Sequence, residues 1–182
     1  ETLLGIRSSD THQIHFDGCA IPASQRLGDE RQGFQIARSA TQHSRPLVAC
    51  MANGISRAAL EHCVRYALDR KINNAPLAGY QATQLKLADM ATQRHASRLL
   101  AFDAARRLDR GLDADREASM AKILATDTAM AITTEAVQIF GAYGLTPEYP
   151  VEKLFRDAKV LQIYAGTDEI QITHIAKDLL RR

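Results

Sequence analysis

The chain has 182 residues, of which 46% are hydrophobic and 24% are charged, a composition typical of one globular domain with a substantial core. Its formal net charge is +2 and its basic residues are interspersed with acidic ones, so the charge pattern does not indicate nucleic-acid binding. No apolar run approaches the roughly 20 residues that span a bilayer, and we expect neither a membrane helix nor a signal peptide.

The cysteines and histidines do not predict a metal site. Cys19, Cys50 and Cys63 lack the spacing of metal ligands, and none of the six histidines has another histidine four positions away. An odd number of cysteines suits a reducing compartment. We therefore expect a cytoplasmic protein without a bound metal ion.

Residues 1–28 differ from the rest of the chain because their pattern is typical of strands. Residues 13–16 alternate polar and apolar side chains, and Asp17-Gly18 and Ile21-Pro22 are turn signals. No later stretch offers a strand to pair with, and an isolated strand or two does not make a stable sheet. We expect this segment to be the end of a β domain whose earlier part is absent from the chain.

From Glu30 onward the apolar residues recur with the period of a helix. Pro46 lies inside the first stripe and removes one backbone donor, which predicts a kink. The first stripe consists of Phe34, Ala37, Thr41, Ser44, Val48, Met51, Ile55, Ala59, Cys63 and Ala67.

Two more stripes follow a break at residues 73–76. The second consists of Leu85, Ala88, Ala91, His95, Leu99, Phe102, Ala105 and Leu108. The third consists of Ala118, Ala121, Ala125, Ala129, Ile132, Ala136 and Ile139. A loop over 141–150, a short helix over 151–157 and a last helix N-capped by Thr167 complete the pattern. Residues 29–182 are thus predicted to form an up-down four-helix bundle, in a mainly α protein with a short β segment before the bundle.

A series of motifs lies in the same order as in one known family. They occupy residues 16–22, 27–28, 33–34, 84–91, 149–153 and 155–159, together with Gln138-Ile139-Phe140-Gly141-Ala142-Tyr143-Gly144. The chain resembles the acyl-CoA dehydrogenases, flavoenzymes that desaturate acyl thioesters, from about Gly5 to Leu180. The resemblance implies the family's C-terminal helical bundle after the end of its middle β domain. It also implies FAD as cofactor, an acyl-CoA or related acyl thioester as substrate, and a homo- or hetero-oligomer, dimer or tetramer, formed through the bundle.

The active-site segment of this family is similar to Gln162-Ile163-Tyr164-Ala165-Gly166-Thr167-Asp168-Glu169-Ile170-Gln171. In most of the family, a glutamate at the position of Ala165 removes the substrate α-proton. A methyl group cannot accept a proton, whereas the backbone N–H of Ala165 can still donate to the thioester oxygen. The resemblance places Tyr164 and Gly166 in the substrate site.

Other members of the family carry the base on the first long helix, just before an arginine. Ser44 occupies that position here and precedes Arg45, which the resemblance implies as a substrate-binding residue. A serine is not a usable base without a partner, and the adjacent His43 points about 100° away on a helix. Both base positions therefore lack a proton acceptor.

The flavin contacts follow the family pattern only in part. Arg70, Gln81, Gln138, Gly141 and Thr167 match it, and Glu169 lies where the family contacts the adenosine half of the cofactor. Ala142 replaces a glycine beside the pyrophosphate, Asn73 replaces an aromatic residue against the adenine, and Asn74 replaces a second glycine. The lost stacking face is worth about 0.5–1.5 kcal/mol, so we expect weakened FAD binding.

Three interpretations of the function remain open. The first is an acyl-CoA dehydrogenase that lost its base by engineering or natural change, although an engineered Ala165 does not explain why Ile72, Asn73, Asn74 and Ala142 also depart from the family pattern. The second is a non-catalytic bundle that acts as an oligomerisation module in a mixed complex. The third is a flavin-dependent enoyl-thioester reductase, which needs no base for the α-proton.

Overall fold

The structure is a computed structural model that describes residues 1–180. Five α-helices make up most of it: α1 (Gly33–Asp69), α2 (Gln81–Asp109), α3 (Asp115–Phe140), α4 (Val151–Leu161) and α5 (Asp168–Leu179). A two-stranded antiparallel hairpin, β1 (Lys71–Ile72) and β2 (Ala75–Pro76), connects α1 to α2. The predicted mainly α bundle is confirmed. Positions 181 and 182 of the predicted bundle lie outside the described residues.

Helix α3 is the centre of the bundle, because α1, α2, α4 and α5 all pack against it. Its predicted apolar stripe is buried except for Ile139 at its end, which is half-buried, and small side chains allow its neighbours to approach closely. The core around it is rich in alanine and contains Ala49, Ala52, Ala101, Ala104, Ala118, Ala121, Ala125 and Ala129. A second cluster near the end of α3 contains larger side chains, among them Met90, Ile132 and Phe140.

The predicted phase of α2 is wrong. Leu85 and Leu99 are 64% and 55% exposed, whereas Thr83, Met90, Ser97, Ala101 and Ala104 are buried. The two sets are offset by two residues, which is about 200° around a helix. Helix α2 therefore buries small residues against α1 and α3, and the predicted stripe faces away from the bundle.

The first stripe is buried only in part. Val48, Ala59, Cys63 and Ala67 are in the core, but Phe34 is 81% exposed because the start of α1 extends beyond its neighbours. Helix α1 continues without a break through Pro46.

The predicted strand at residues 13–16 is also wrong. This stretch is exposed and has no regular secondary structure, because no strand lies beside it to complete a ladder. The N-terminal residues before it do pack on the bundle: Ile6 N donates to Asp157 Oδ1 (2.6 Å), and Arg156 Nη1 donates to the carbonyl of Leu4 (2.8 Å). The division into a β end at 1–28 and a bundle from 29 stays a prediction.

Residues 1–180 can be compared with the expectations about membrane helices and metal ions. No helix among them is both long and apolar enough to cross a membrane. Within the same residues, no group of three or more His, Cys, Asp or Glu side chains is arranged to hold a metal ion.

Candidate active site

The turn between α4 and α5 contains the predicted substrate residues Tyr164, Ala165 and Gly166. Asp168 N donates to the carbonyl of Gln162 (3.2 Å), which closes the turn. Ala165 has φ of 55° and Gly166 has φ of 94°, so both lie in the left-handed region. The predicted N-cap is confirmed, since Thr167 Oγ1 accepts from Ile170 N at 3.4 Å.

A buried lysine of α3, which was not predicted as a site residue, binds this turn. The side chain of Lys122 has no exposed surface, and its Nζ donates to Asp168 Oδ1 (2.6 Å) and to the carbonyl of Gln162 (3.1 Å). Thr126 Oγ1 lies 3.1 Å from Asp168 Oδ2. Burial raises the pKa of the Asp168 carboxyl, and the hydrogen bond from Lys122 opposes that shift. The sequence contained one indication of this residue, because Lys122 is a charged side chain among the apolar residues of the third stripe.

Tyr164 lies beside an apolar cavity of about 350 Å³, which residues of the N-terminal segment and of α4 also line. Its hydroxyl is 3.3 Å from Met51 Sδ, and burial raises its pKa. Ala165 packs against the alanine-rich core. The turn thus combines a backbone N–H, a methyl group and an apolar surface.

The carboxylates near Ala165 are not arranged as a base. Asp168 accepts hydrogen bonds from both Lys122 and Thr126. Glu169 is exposed, and hydrogen bonds from its own backbone N–H and from Thr167 lower its pKa. A lowered pKa weakens a carboxylate as a proton acceptor.

Ser44, the second predicted base position, also lacks a usable proton acceptor. Ser44 Oγ donates to the carbonyl of Thr41 (2.8 Å), and the His43 ring nitrogen Nδ1 lies 2.8 Å from the carbonyl of Ser39. The histidine is therefore bonded to its own helix and does not activate the serine hydroxyl.

Arg45 is 3% exposed and joins three helices. Its guanidinium forms an ion pair with Asp115, donates to Ser119 Oγ (3.0 Å) and lies 3.1 Å from His174 Nδ1. It also borders a cavity of about 480 Å³ with Phe34 and Lys177. Its contact with a substrate stays a prediction.

Four of the predicted cofactor residues line one cavity of about 420 Å³: Arg70, Gln138, Gly141 and Ala142. Gly141 ends α3 with φ of 60°, a conformation that favours glycine. Gln81 is exposed at the start of α2 and does not line this cavity, although its neighbour Ala82 does.

Thr167 and Glu169 belong to a separate group on the Ala165 turn. Lys122, which contacts that turn, and Gln138, which lines the cavity, are about 24 Å apart along α3 at 1.5 Å per residue. The predicted site residues therefore form two groups at opposite ends of the bundle.

Asn73 and Asn74 form the turn of the β1–β2 hairpin. Their φ values are 49° and 65°, and asparagine tolerates the left-handed region better than most residues. Both are exposed, so neither supplies an aromatic face. The cavity nevertheless has an aromatic wall: Tyr66 stacks on Phe140 with ring centroids 4.0 Å apart, and Tyr143 lies beside them.

Comparisons with known proteins identify the family. The family model described as "Acyl-CoA dehydrogenase, C-terminal domain" matches residues 31–180. The chain belongs to the acyl-CoA dehydrogenase family.

Individual acyl-CoA dehydrogenases and related proteins agree with this assignment. The chain is 47% identical over 180 residues to the acyl-CoA dehydrogenase of Bacillus subtilis (strain 168), covering 99% of this chain and 48% of that one. It is 41% identical over 181 residues to the 3-(aryl)acrylate reductase of Clostridium sporogenes, covering 100% of this chain and 48% of that one. The structure matches butyryl-CoA dehydrogenase from Megasphaera elsdenii with a TM-score of 0.98 and 43% identity, covering 100% of this chain and 47% of that chain. The chain thus spans about half the length of the curated relatives it matches.

The residues of the 420 Å³ cavity fit part of the cofactor that members of the acyl-CoA dehydrogenase family use. The Arg70 guanidinium forms no ion pair with a carboxylate of residues 1–180, so it is free to bind an anionic group. The Gln138 amide, the glycine at 141 and the aromatic wall suit a phosphate that carries a planar base.

Proposed function

We propose that this chain is the C-terminal bundle of an FAD-dependent protein that acts on acyl thioesters, with its usual catalytic base missing at Ala165. The observation that carries the proposal is the geometry of the turn. Its ends are bound to α3, its backbone N–H at Ala165 is retained, and only a methyl group stands where the carboxylate is expected. The chain by itself is then a poor α,β-desaturase, and activity depends on a partner chain that supplies the base.

The chemistry requires two kinds of group near the thioester. Removal of the α-proton needs a carboxylate in a desolvated pocket, and the developing enolate oxygen needs hydrogen-bond donors. Ala165 offers the second through its backbone N–H. Tyr164 and Gly166 would border the acyl group, and the buried Arg45 would support this end of the site.

FAD, when bound, would accept the hydride that leaves the β-carbon. Arg70, Gln138, Gly141 and Ala142 would hold its phosphates, with Gln81 at the rim, whereas Thr167 and Glu169 would contact the cofactor at the other end of the bundle. Because the two groups are about 24 Å apart along α3, we assign them to different cofactors, each shared between two chains. The aromatic wall offsets part of the stacking lost at Asn73, so weakened rather than abolished FAD binding is the outcome we expect.

An oligomer would bring these half-sites together. The outward face of α2 exposes Leu85, Leu99 and Phe102, and exposed apolar patches mark interaction sites. A homo- or hetero-oligomer, dimer or tetramer, with no role for nucleic acid or membrane, fits this surface. We assign the protein to the cytoplasm, where its three free cysteines stay reduced.

The experiment that tests the proposal is Ala165→Glu in the purified protein with its bound flavin, assayed with a range of acyl-CoAs and an electron acceptor. Restoring the carboxylate is expected to raise turnover on the order of 10²-fold or more. Ala165→Gln is the matched control, because it has nearly the same size and cannot act as a base. Wild-type turnover equal to that of Ala165→Glu would refute the missing base.

Reduction of an enoyl thioester is a second candidate function. The relative named 3-(aryl)acrylate reductase, at 41% identity over the whole chain, favours it. Reduction adds a hydride to the β-carbon and a proton to the α-carbon, and water can provide the proton, so no base at Ala165 is needed. Oxidation of the reduced flavin by an enoyl thioester, without the reverse reaction, would support this function over desaturation.

The non-catalytic alternative is an oligomerisation module without its own cofactor. The exposed face of α2 is the observation in its favour. Flavin absorbance at one equivalent per chain would exclude it, whereas a colourless protein that co-purifies with a flavin-bearing chain would support it.

A further inference from the structure

Helix α3 presents three polar side chains in succession to the α4–α5 turn. Lys122 contacts both Gln162 and Asp168, and Thr126 lies one helical turn further along and contacts Asp168. The third is Asp127, whose Oδ1 accepts from Gln162 Nε2 at 2.7 Å. Both ends of the turn are therefore attached to one rigid helix.

The carbonyl of Gln162 is the point where these contacts meet. It accepts from Asp168 N at 3.2 Å and from Lys122 Nζ at 3.1 Å. Lys122 has no exposed surface, so the Gln162 carbonyl and the Asp168 carboxylate replace water as partners of its ammonium group. Because this ionic interaction is buried, it constrains the turn more strongly than an exposed ion pair would.

The turn is also confined from the side of α5. Gln171 is 1% exposed, and a Cβ on Gly166 would lie 2.3 Å from its Nε2. Ala165 and Gly166 are thus fixed in left-handed conformations between anchored ends and a buried side chain. The direction of the Ala165 N–H follows from these constraints.

We propose that Lys122 is a positioning residue, which sets the direction of the Ala165 N–H through the Asp168 carboxylate and the Gln162 carbonyl. The role assigned to that N–H, donation to a thioester oxygen, rests on the proposed function. The conformational effect of Lys122 on the turn does not.

Hydrogen exchange of backbone amides tests the conformational effect without flavin or substrate. In Lys122→Met, the hydrogen-bonded amides of Ile163, Tyr164 and Asp168 are expected to exchange at least about tenfold faster, whereas amides in the middle of α1 and α2 keep their rates. Lys122→Arg is expected to restore part of the protection. Lys153→Met is the matched control, because it removes a lysine from an ion pair with a mostly buried carboxylate, that of Asp157, away from the turn.

An equal loss of protection in all helices would overturn the proposal, since it would show that Lys122 only stabilises the fold. Unchanged exchange in the turn would overturn it as well. Should Lys122→Met not fold, Thr126→Val removes one hydrogen bond to Asp168 at nearly constant shape. It is expected to produce a smaller acceleration at the amides of Ile163, Tyr164 and Asp168 only.

The effect on catalysis is tested in the Ala165→Glu background. Here Lys122→Arg is expected to lower kcat at least about fivefold with little change in KM and to shift the pH–rate profile, because the new carboxylate is attached to the displaced turn. An unchanged kcat and pH profile despite faster exchange would overturn the positioning role. An Ala165→Glu protein without activity but with the expected exchange pattern would count against the proposed function and leave the effect of Lys122 on the turn supported.

Discussion

Arg45 Nη2 lies 3.1 Å from His174 Nδ1, which joins the first helix of the chain to the last. The same guanidinium forms an ion pair with Asp115 at the start of α3. Arg45 is 3% exposed, so removal of its charge leaves the partly buried Asp115 carboxylate with only the exposed and more distant Arg38 as an ionic partner.

Arg45→Met is therefore expected to destabilise the protein by about 3–5 kcal/mol. Arg57→Met is the control on the same helix, because Arg57 pairs with Glu61 at the surface, and its loss should cost about 0.5 kcal/mol or less. Urea denaturation measures both. Similar losses of unfolding free energy in the two variants would show that burial does not strengthen the Arg45 ion pair.

The stability of the protein should fall as the pH drops from about 7.5 to 5.5, because of His174. Burial and the nearby Arg45 lower its pKa from the ordinary value of 6.5, and Arg38 and Lys177 act in the same direction, whereas Asp115 opposes them. The unfolded chain then binds a proton that the folded chain does not, so acidification favours unfolding. Asp115 does not contribute in this range, since Arg45 outweighs the effect of burial and lowers the pKa of that carboxyl from its ordinary acidic value.

The measurement is the melting temperature across that pH range, compared with His174→Gln, which cannot bind the proton. The variant is expected to show a smaller decrease. The same decrease of melting temperature with pH in the two proteins would contradict the assignment to His174.

Gly166→Ala is expected to destabilise the protein by about 1–3 kcal/mol, because position 166 has a positive φ and a new Cβ would displace the buried Gln171. Gly54 provides the opposite case, since it lies inside α1 with open space around it. Gly54→Ala should stabilise by about 0.5–1 kcal/mol. Chemical denaturation of the pair tests both signs, and a stabilised Gly166→Ala protein would mean that the turn is not confined.

Cys63 should resist alkylation in the folded protein. It is fully buried, and burial, with a smaller effect of Glu135, raises its pKa to about 12. Cys19 and Cys50 are exposed. Mass spectrometry after iodoacetamide treatment at about pH 8 should find those two thiols modified and the third only after denaturation. Cys50→Ser should reduce native labelling to one site, and rapid native labelling of Cys63 would show that the end of α1 opens.

Much of the fold could be predicted from the sequence, because local patterns determine where helices begin and end. Six of the seven residues of the third stripe are buried as predicted, and Thr167 caps the last helix. The predicted stripe on α2 was wrong, since Leu85 and Leu99 lie on the exposed face and Ala101 and Ala104 lie on the buried face. Periodicity gives the same signal for both, and only the neighbouring helices decide that Ala101 and Ala104 are the buried face.

The grouping of predicted site residues in space followed from the sequence where a motif is contiguous, whereas their roles stay predictions. Tyr164, Ala165 and Gly166 share one turn, whereas the structure alone shows that Arg70 lines the same cavity as Gln138, 68 positions away. Lys122 escaped prediction because its two partners lie about 40 positions away, and a lysine within an apolar stripe does not indicate which carboxylate it meets.

The sequence by itself determined the family, the positions of the helices and the absence of a carboxylate at position 165, since these depend on residue identity and local spacing. Only the tertiary structure decided which face of α2 is buried, that the predicted cofactor residues form two groups, and that Lys122 contacts the Ala165 turn. These features depend on distances between segments that are remote in sequence, and packing of whole helices sets those distances.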